Sequence, residues 1–258
     1  TSGAASYSMQ ASGPDNSTFS ADVSSATGSL DFSMNADGIS YGGGNTDVAI
    51  TVSGSEIPFP QVEFTAAETG GRLTMPIMAS ETPQDVGFGL ILRDLAVSEM
   101  IWSMIDPAGV LPHDPATLII DTMGKANWNI DIMSPEVQQG NFGDEMPGQI
   151  HSLDLRELQL ALAGAVLQGT GAFTFDNTDM QTYPGMPKPV GKVNLSLDGA
   201  NALLDKLIAM GLIPSEQALG FRGMMGMFAR PGNGPDSLVS EIELTPEGGI
   251  SANGLRLR

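Results

Sequence analysis

Apolar side chains recur at every second position through most of the chain. Ala5-Tyr7-Met9-Ala11, Leu30-Phe32-Met34, Val48-Ile50-Val52 and Leu73-Met75-Ile77 each present one apolar face, with polar residues between. The alternation continues through Val86-Phe88-Leu90-Leu92, Leu153-Leu155-Leu158-Leu160-Leu162 and Val166 with Phe173 and Phe175. It ends with Val193-Leu195-Leu197, Ile242-Leu244 and Leu255-Leu257. A period of two marks strands with one buried and one wet face. Gly13-Pro14-Asp15-Asn16, Ala36-Asp37-Gly38, Gly42-Gly43-Gly44-Asn45 and Gly70-Gly71 read as turns between them. The pattern predicts a meander of antiparallel hairpins.

Three segments change to helical spacing. Over 98–106, Ser98 is placed to cap a helix carrying Glu99, Ile101, Trp102, Met104 and Ile105, which Pro107 stops. Over 200–210, after Asp198, Leu203, Leu204, Leu207 and Ile208 share a face, and Gly211 supplies the C-terminal cap. Over 215–229, a helix follows Pro214 and ends at Arg230-Pro231. The stretch 134–148 reads as the longest loop and divides the chain into 1–133 and 149–258, read as two parts of one continuous sheet. An offset of 102 residues lays Gly109-Val110-Leu111-Pro112 over Gly211-Leu212-Ile213-Pro214, each after a strand and a helix. The expected fold is mainly β with a few helices: a long, curled antiparallel sheet with three helices on its concave face. A two-sheet sandwich is the alternative.

Composition narrows the function classes. Of 258 residues only 16% are charged, well below the roughly 25% of average chains, and 32 are glycine. Thirty acids against eleven bases give a net charge of −19. That balance argues against nucleic acid and against docking on anionic lipid, both of which need Lys and Arg. Eight acids precede the first base, Arg72, but they stand singly among alternating apolar residues, as on a solvated strand face. Without cysteine there is no disulfide, thiolate metal site or thiol nucleophile. No run approaches the ~18 apolar residues of a membrane-spanning helix. The start at Thr1, inside a strand pattern, reads as a trimmed piece of a longer protein.

Candidate chemistry is sparse. His113, beside Asp114 in a Pro-flanked turn, reads as an exposed loop residue. His151 with Ser152 and Asp154 supplies the letters of a triad without a nucleophile-elbow motif. Asp176-Asn177-Thr178-Asp179 and Asp144-Glu145 offer oxygen ligands, yet neither fits a twelve-residue calcium loop. The expectation is no catalytic residue, metal or cofactor. The feature that asks for explanation is the last helix, where Gly220, Gly223 and Gly226 recur every third residue, each costing about 0.8–1 kcal/mol relative to Ala. They read first as allowing close approach of a core helix to the sheet. The functional reading makes Phe221, Met224, Met225, Met227 and Phe228 a pliable apolar contact surface, suited to methionine's adaptability.

Ser98-Glu99-Met100-Ile101-Trp102 with Asp106-Pro107, and Leu111-Pro112-His113-Asp114-Pro115-Ala116, carry a resemblance. So do Gly226-Met227-Phe228-Ala229-Arg230-Pro231 and Ala252-Asn253-Gly254. Residues 86 to 258 resemble the C-terminal part of the alphaproteobacterial family known as domain of unknown function 2125. The wider strand-helix pattern is similar to AsmA-like envelope proteins associated with lipid traffic. The resemblance implies an exported, periplasmic protein whose signal peptide and N-terminal part lie outside this chain, and it carries no activity. The expected function is a noncatalytic envelope protein that binds apolar ligands or lipids in a curled-sheet trough. The alternative is a structural or assembly module docking another envelope protein.

Overall fold

The computed structural model describes residues 1–35, 38–140 and 148–258. They form one open, curled, unclosed sheet of 14 strands, with 56% of residues in strand. The strands are β1 (Ala5–Ser12), β2 (Thr18–Ser25), β3 (Thr27–Asn35), β4 (Gly38–Gly54), β5 (Val62–Met75), β6 (Gln84–Val97) and β7 (Ala116–Trp128). They continue as β8 (Gly148–Leu162), β9 (Ala165–Asp176), β10 (Lys188–Asp198), β11 (Arg230–Pro231), β12 (Ser237–Leu244), β13 (Ile250–Ala252) and β14 (Leu255–Arg256). The helices are α1 (Glu99–Ile105), the single turn α2 (Pro135–Gln138), α3 (Ala200–Ala209) and α4 (Ser215–Phe228). From β4 to β10 each strand pairs with the next in sequence, and β10 passes over α3 and α4 to pair with β12. There is no second sheet among the described residues, so the sandwich alternative does not hold.

Register explains how the alternation becomes one apolar face. Leu92, Leu118, Leu160, Leu167, Leu197 and Leu238 are successive cross-strand partners from β6 to β12. A second row runs Phe32, Tyr41, Leu73 and Phe88 across β3 to β6, then through Thr122 to Leu155. Two β-bulges keep this face continuous where the sequence changes phase. In β8 the register shifts between Leu155 and Leu158, so all five leucines of Leu153-Leu155-Leu158-Leu160-Leu162 stay on one side. In β6 it shifts between Leu92 and Leu95, where Asp94 has φ 54° and its N–H donates to the buried Thr117 hydroxyl (3.1 Å). The other face carries the charge: Arg93–Glu68 at 3.1 Å, Lys125–Asp85 at 2.9 Å, and Arg72 paired with Asp121. Gly89 lies between Arg72 and Asp121 in register, and its missing side chain lets the guanidinium cross.

Two expected turns are strand. Gly42-Gly43-Gly44-Asn45 lies inside β4 and Gly70-Gly71 inside β5, with Gly43 opposite Gly71 and Gly44 opposite Gly70. A Cβ at Gly43, Gly44 or Gly70 would lie 3.0, 2.8 or 3.2 Å from a neighbouring strand's carbonyl, so these three serve close backbone approach, whereas Gly42 and Gly71 have room. In the 134–148 stretch, α2 is a helical turn and residues 141–147 lie outside the described residues. The strands flanking it pair directly, Trp128 opposite Gly148.

The helix ends differ in how far the sequence showed them. Gly211 has φ 73°; its N–H reaches the Ile208 carbonyl and that of Leu212 the Leu207 carbonyl, the paired bonds of a Schellman cap. Ser98 makes no side-chain capping bond to α1. The N-cap of α3 is Gly199, and its capping carboxylate comes from Asp236, which accepts from Asn201 N (3.2 Å) and Ala202 N (2.9 Å). Burial pushes the Asp236 carboxyl up, but those donors, the Asn201 amide and Arg222 outweigh it and hold its pKa below the ordinary value.

Candidate apolar binding trough

The apolar face is not filled. The chain exposes 15264 Å², against about 10,800 Å² for a compact monomer of its 26.9 kDa mass. Leu30, Phe32, Leu73, Phe88 and Leu90 of the sheet are all exposed, and among the described residues no helix packs extensively on β3 to β6. At the β8–β12 end α3 and α4 lie above the sheet. An open cavity of about 430 Å³ lies there between Leu160, Leu162, Leu167 and Leu197 below and Leu203, Phe221, Met224 and Met225 above. A second, of about 290 Å³, shares Leu167, Leu197, Met224 and Met225 and runs on to Phe228, Leu238 and Ile242. On the same face toward the opposite end of the strands, Leu73, Val86, Phe88, Trp128, Ile150 and Leu153 line a third of about 540 Å³. The Trp128 indole N–H donates to the Pro76 carbonyl at 2.5 Å, which fixes one wall of it. The arrangement offers hydrocarbon contact with scarcely a polar group, the environment an acyl chain or other apolar ligand needs.

Of the five contact residues read from α4, Phe221, Met224, Met225 and Phe228 line these cavities, whereas Met227 points outward and is 63% exposed. The close-approach reading of the glycines is overturned: a Cβ at Gly220, Gly223 or Gly226 would have nothing within 4 Å. Only Ala218 of α4 is buried, so this is not a core helix. The leucines of β8, β9 and β10 that form the floor were legible as a strand face. What the alternation does not encode is whether a face is packed or left open.

The motif residues that carry the family resemblance act as staples. Trp102 is half-buried rather than sealed against the sheet, and its ring stacks on His113 with centroids 4.3 Å apart and planes 6° apart. His113 is therefore not the exposed loop residue expected; its Nδ1 lies 3.2 Å from Glu99 and its Nε2 3.9 Å from Asp106. Asp106, 3% exposed, accepts from Leu111 N at 2.6 Å. That bond lowers its pKa against the effect of burial, with further help from the Val110 N–H and His113. At the other end of the fold, the Phe228 carbonyl accepts from Ser240 Oγ (2.5 Å) and Asn253 Nδ2 (3.0 Å). Two motif segments distant in sequence thus meet where α4 ends.

The remaining candidates have ordinary partners. His151 Nε2 lies 2.6 Å from Asn127 Oδ1, and no bond links it to Ser152 or Asp154 among the described residues. Asp176 accepts from the Thr178 hydroxyl and N–H, and Asp179 from Thr182, while Lys188 reaches both carboxylates at 3.5 and 3.2 Å. These bonds, the Thr182 N–H foremost for Asp179, hold both carboxyls below their usual range and use them to close the β9–β10 turn. Asp144 and Glu145 lie outside the described residues. Among the described residues no helix is long and apolar enough to cross a membrane.

The model of the bacterial family described as "Uncharacterized protein conserved in bacteria (DUF2125)" matches residues 5–257. The chain belongs to this family. The match takes in the N-terminal strands, which the motifs left undistinguished, so the whole curled sheet belongs to the family's fold. Comparison with curated proteins gives no match.

Proposed function

We propose that this DUF2125 protein is a noncatalytic component of the bacterial cell envelope that holds apolar ligands or lipids along its trough. The observation that carries the reading is one apolar face, continuous in register from β3 to β12, left uncovered over β3 to β6 and roofed by α4 over cavities at the other end. A monomer rarely leaves so large a contiguous apolar surface without use. A dry, filled core would favour the docking-module alternative, and the cavities favour a ligand. The noncatalytic part of the reading is supported by the partners of the candidate side chains: His113, Asp106, Asp176 and Asp179 are held in staples or turns, and His151 is bonded to Asn127. A periplasmic address and the likeness to AsmA-like proteins belong to the same proposal. Native mass spectrometry of protein purified without detergent tests it: retained lipid is expected, and a mass equal to the bare chain after exposure to lipid would refute it.

A further inference from the structure

Resting on the trough reading, we propose that α4 is a lid, which stands off the sheet and closes down onto an apolar ligand lying between them. Phe221, Met224, Met225 and Phe228 line the side of α4 that faces the sheet, yet the space between them and the leucines of β8, β9 and β10 is open. Phe221, Met224 and Phe228 stay 46%, 51% and 40% exposed, and Ala218 is the one buried residue of the helix. A helix seated on its sheet buries the stripe that faces it. Here apolar surface on both sides of the gap remains wet, and closure over a hydrocarbon chain removes all of it from water.

The bonds that hold α4 are polar and leave its apolar side free. Arg222 Nε donates to Asn201 Oδ1 (3.0 Å), and its Nη2 donates to Asp205 Oδ1 (2.7 Å) and to the Asn201 carbonyl (3.3 Å). Asn201 Nδ2 in turn donates to Asp236 (2.8 Å), the carboxylate that caps α3. Arg222 lines neither cavity, so this anchor ties α4 to α3 and not to the sheet. The second anchor is at the last residue, where the Phe228 carbonyl accepts from Ser240 and Asn253. Between the anchors, Gly220, Gly223 and Gly226 weaken the helix although no neighbour requires a glycine there. Few buried side chains and a weakened helix place α4 among the elements that open below the global unfolding free energy, from which lids are drawn.

Two measurements with dodecanoic acid, kept below its micellar concentration, separate the lid from the trough. Amide hydrogen exchange reads the lid, and methionine oxidation by dilute peroxide, mapped by mass spectrometry, reads what lies beneath it. Without the acid, amides of 219–228 should exchange well ahead of those in β8 to β10. At about ten times its Kd the acid should slow them by about tenfold. Met224 and Met225 should then resist oxidation, while Met227, which points outward and is 63% exposed, stays reactive. Protected methionines with unchanged exchange in α4 would overturn the lid and leave the trough standing. Slowed exchange with both methionines still reactive would place the acid elsewhere and overturn both, as would no change in either. The variant Arg222→Met keeps the aliphatic stem and removes the anchor to α3; without acid it should speed exchange in α4 by about fivefold, with β8 and β9 unaffected. Equal acceleration throughout the chain would show that α4 opens only with global unfolding, which overturns the lid. If circular dichroism shows that this variant does not fold, Asp205→Asn weakens the same anchor from its exposed side and takes its place.

Discussion

The Trp102–His113 stack shows what a single residue contributes and why the sequence hid it. Spacing places Trp102 in the body of a short helix, but its partner lies in the following loop, and nothing in the letters around His113 indicates a ring above it. The structure gives the pair parallel rings at 4.3 Å with Glu99 and Asp106 alongside. Because Trp102 is only half-buried, Trp102→Ala should cost about 2 kcal/mol, roughly half the loss for a sealed tryptophan. In a double-mutant cycle with His113→Ala, measured by urea unfolding, the two should couple by about 0.5–1.5 kcal/mol. Additive losses would show that the rings do not interact in solution. Asp106 was read only as part of a helix stop. Its work is to hold the Leu111 amide from a buried position, a contact five residues long that spacing alone does not reveal.

Among the elements, strands were far more legible than their junctions. The leucine spacing in β8, two then three then two, already contained the bulge that the register shift displays. The glycine runs of β4 and β5 misled because Gly marks both turns and close strand contact, and only pairing distinguishes them. For α4 the sequence suggested close packing, yet its glycines face open space, which reverses the expected effect of substitution. Gly220→Ala/Gly223→Ala/Gly226→Ala should stabilise the fold by about 2–3 kcal/mol through helix propensity, read as a higher melting temperature. A lower one would mean that this side of α4 is covered in solution. The α3 cap makes a separate prediction. Asp236 has a folded-state pKa below its unfolded value near ~3.9, so its contribution is full above that pH and is lost as pH falls below it. Amide protection in α3, corrected for the intrinsic exchange rate, should therefore fall below about pH 4 in the native chain. Asp236→Asn should flatten that dependence, and an unchanged profile would remove the cap from the account.

At the scale of the whole molecule, the unusual quantity is apolar area that stays in contact with water. Fourteen strands of alternating sequence yield one apolar face, and three short helices and the single turn α2 cannot roof it. The sequence determined which residues share that face. How much of it stays bare depends on where α3 and α4 settle, and that follows from contacts such as Arg222 with Asn201 (3.0 Å) and Asp205 (2.7 Å), which join residues about twenty apart. An acyl chain lying in the trough would lose water contact along its length, each methylene contributing about 0.8 kcal/mol, or roughly fourfold in affinity. If only the roofed cavities took ligand, affinity would stop rising once the chain filled them. If the face from α4 toward Phe88 acts as one surface, the rise should continue to longer chains. A charge at Phe88, which is 47% exposed and so tolerant of change, should then cut the affinity of long chains while leaving short ones unaffected. Competition titrations of an acyl series against Phe88→Glu and the native chain measure both effects. Equal loss for short and long chains would place the binding elsewhere. No loss at any length would confine it to the cavities beneath α4, with the open half of the sheet left for another use.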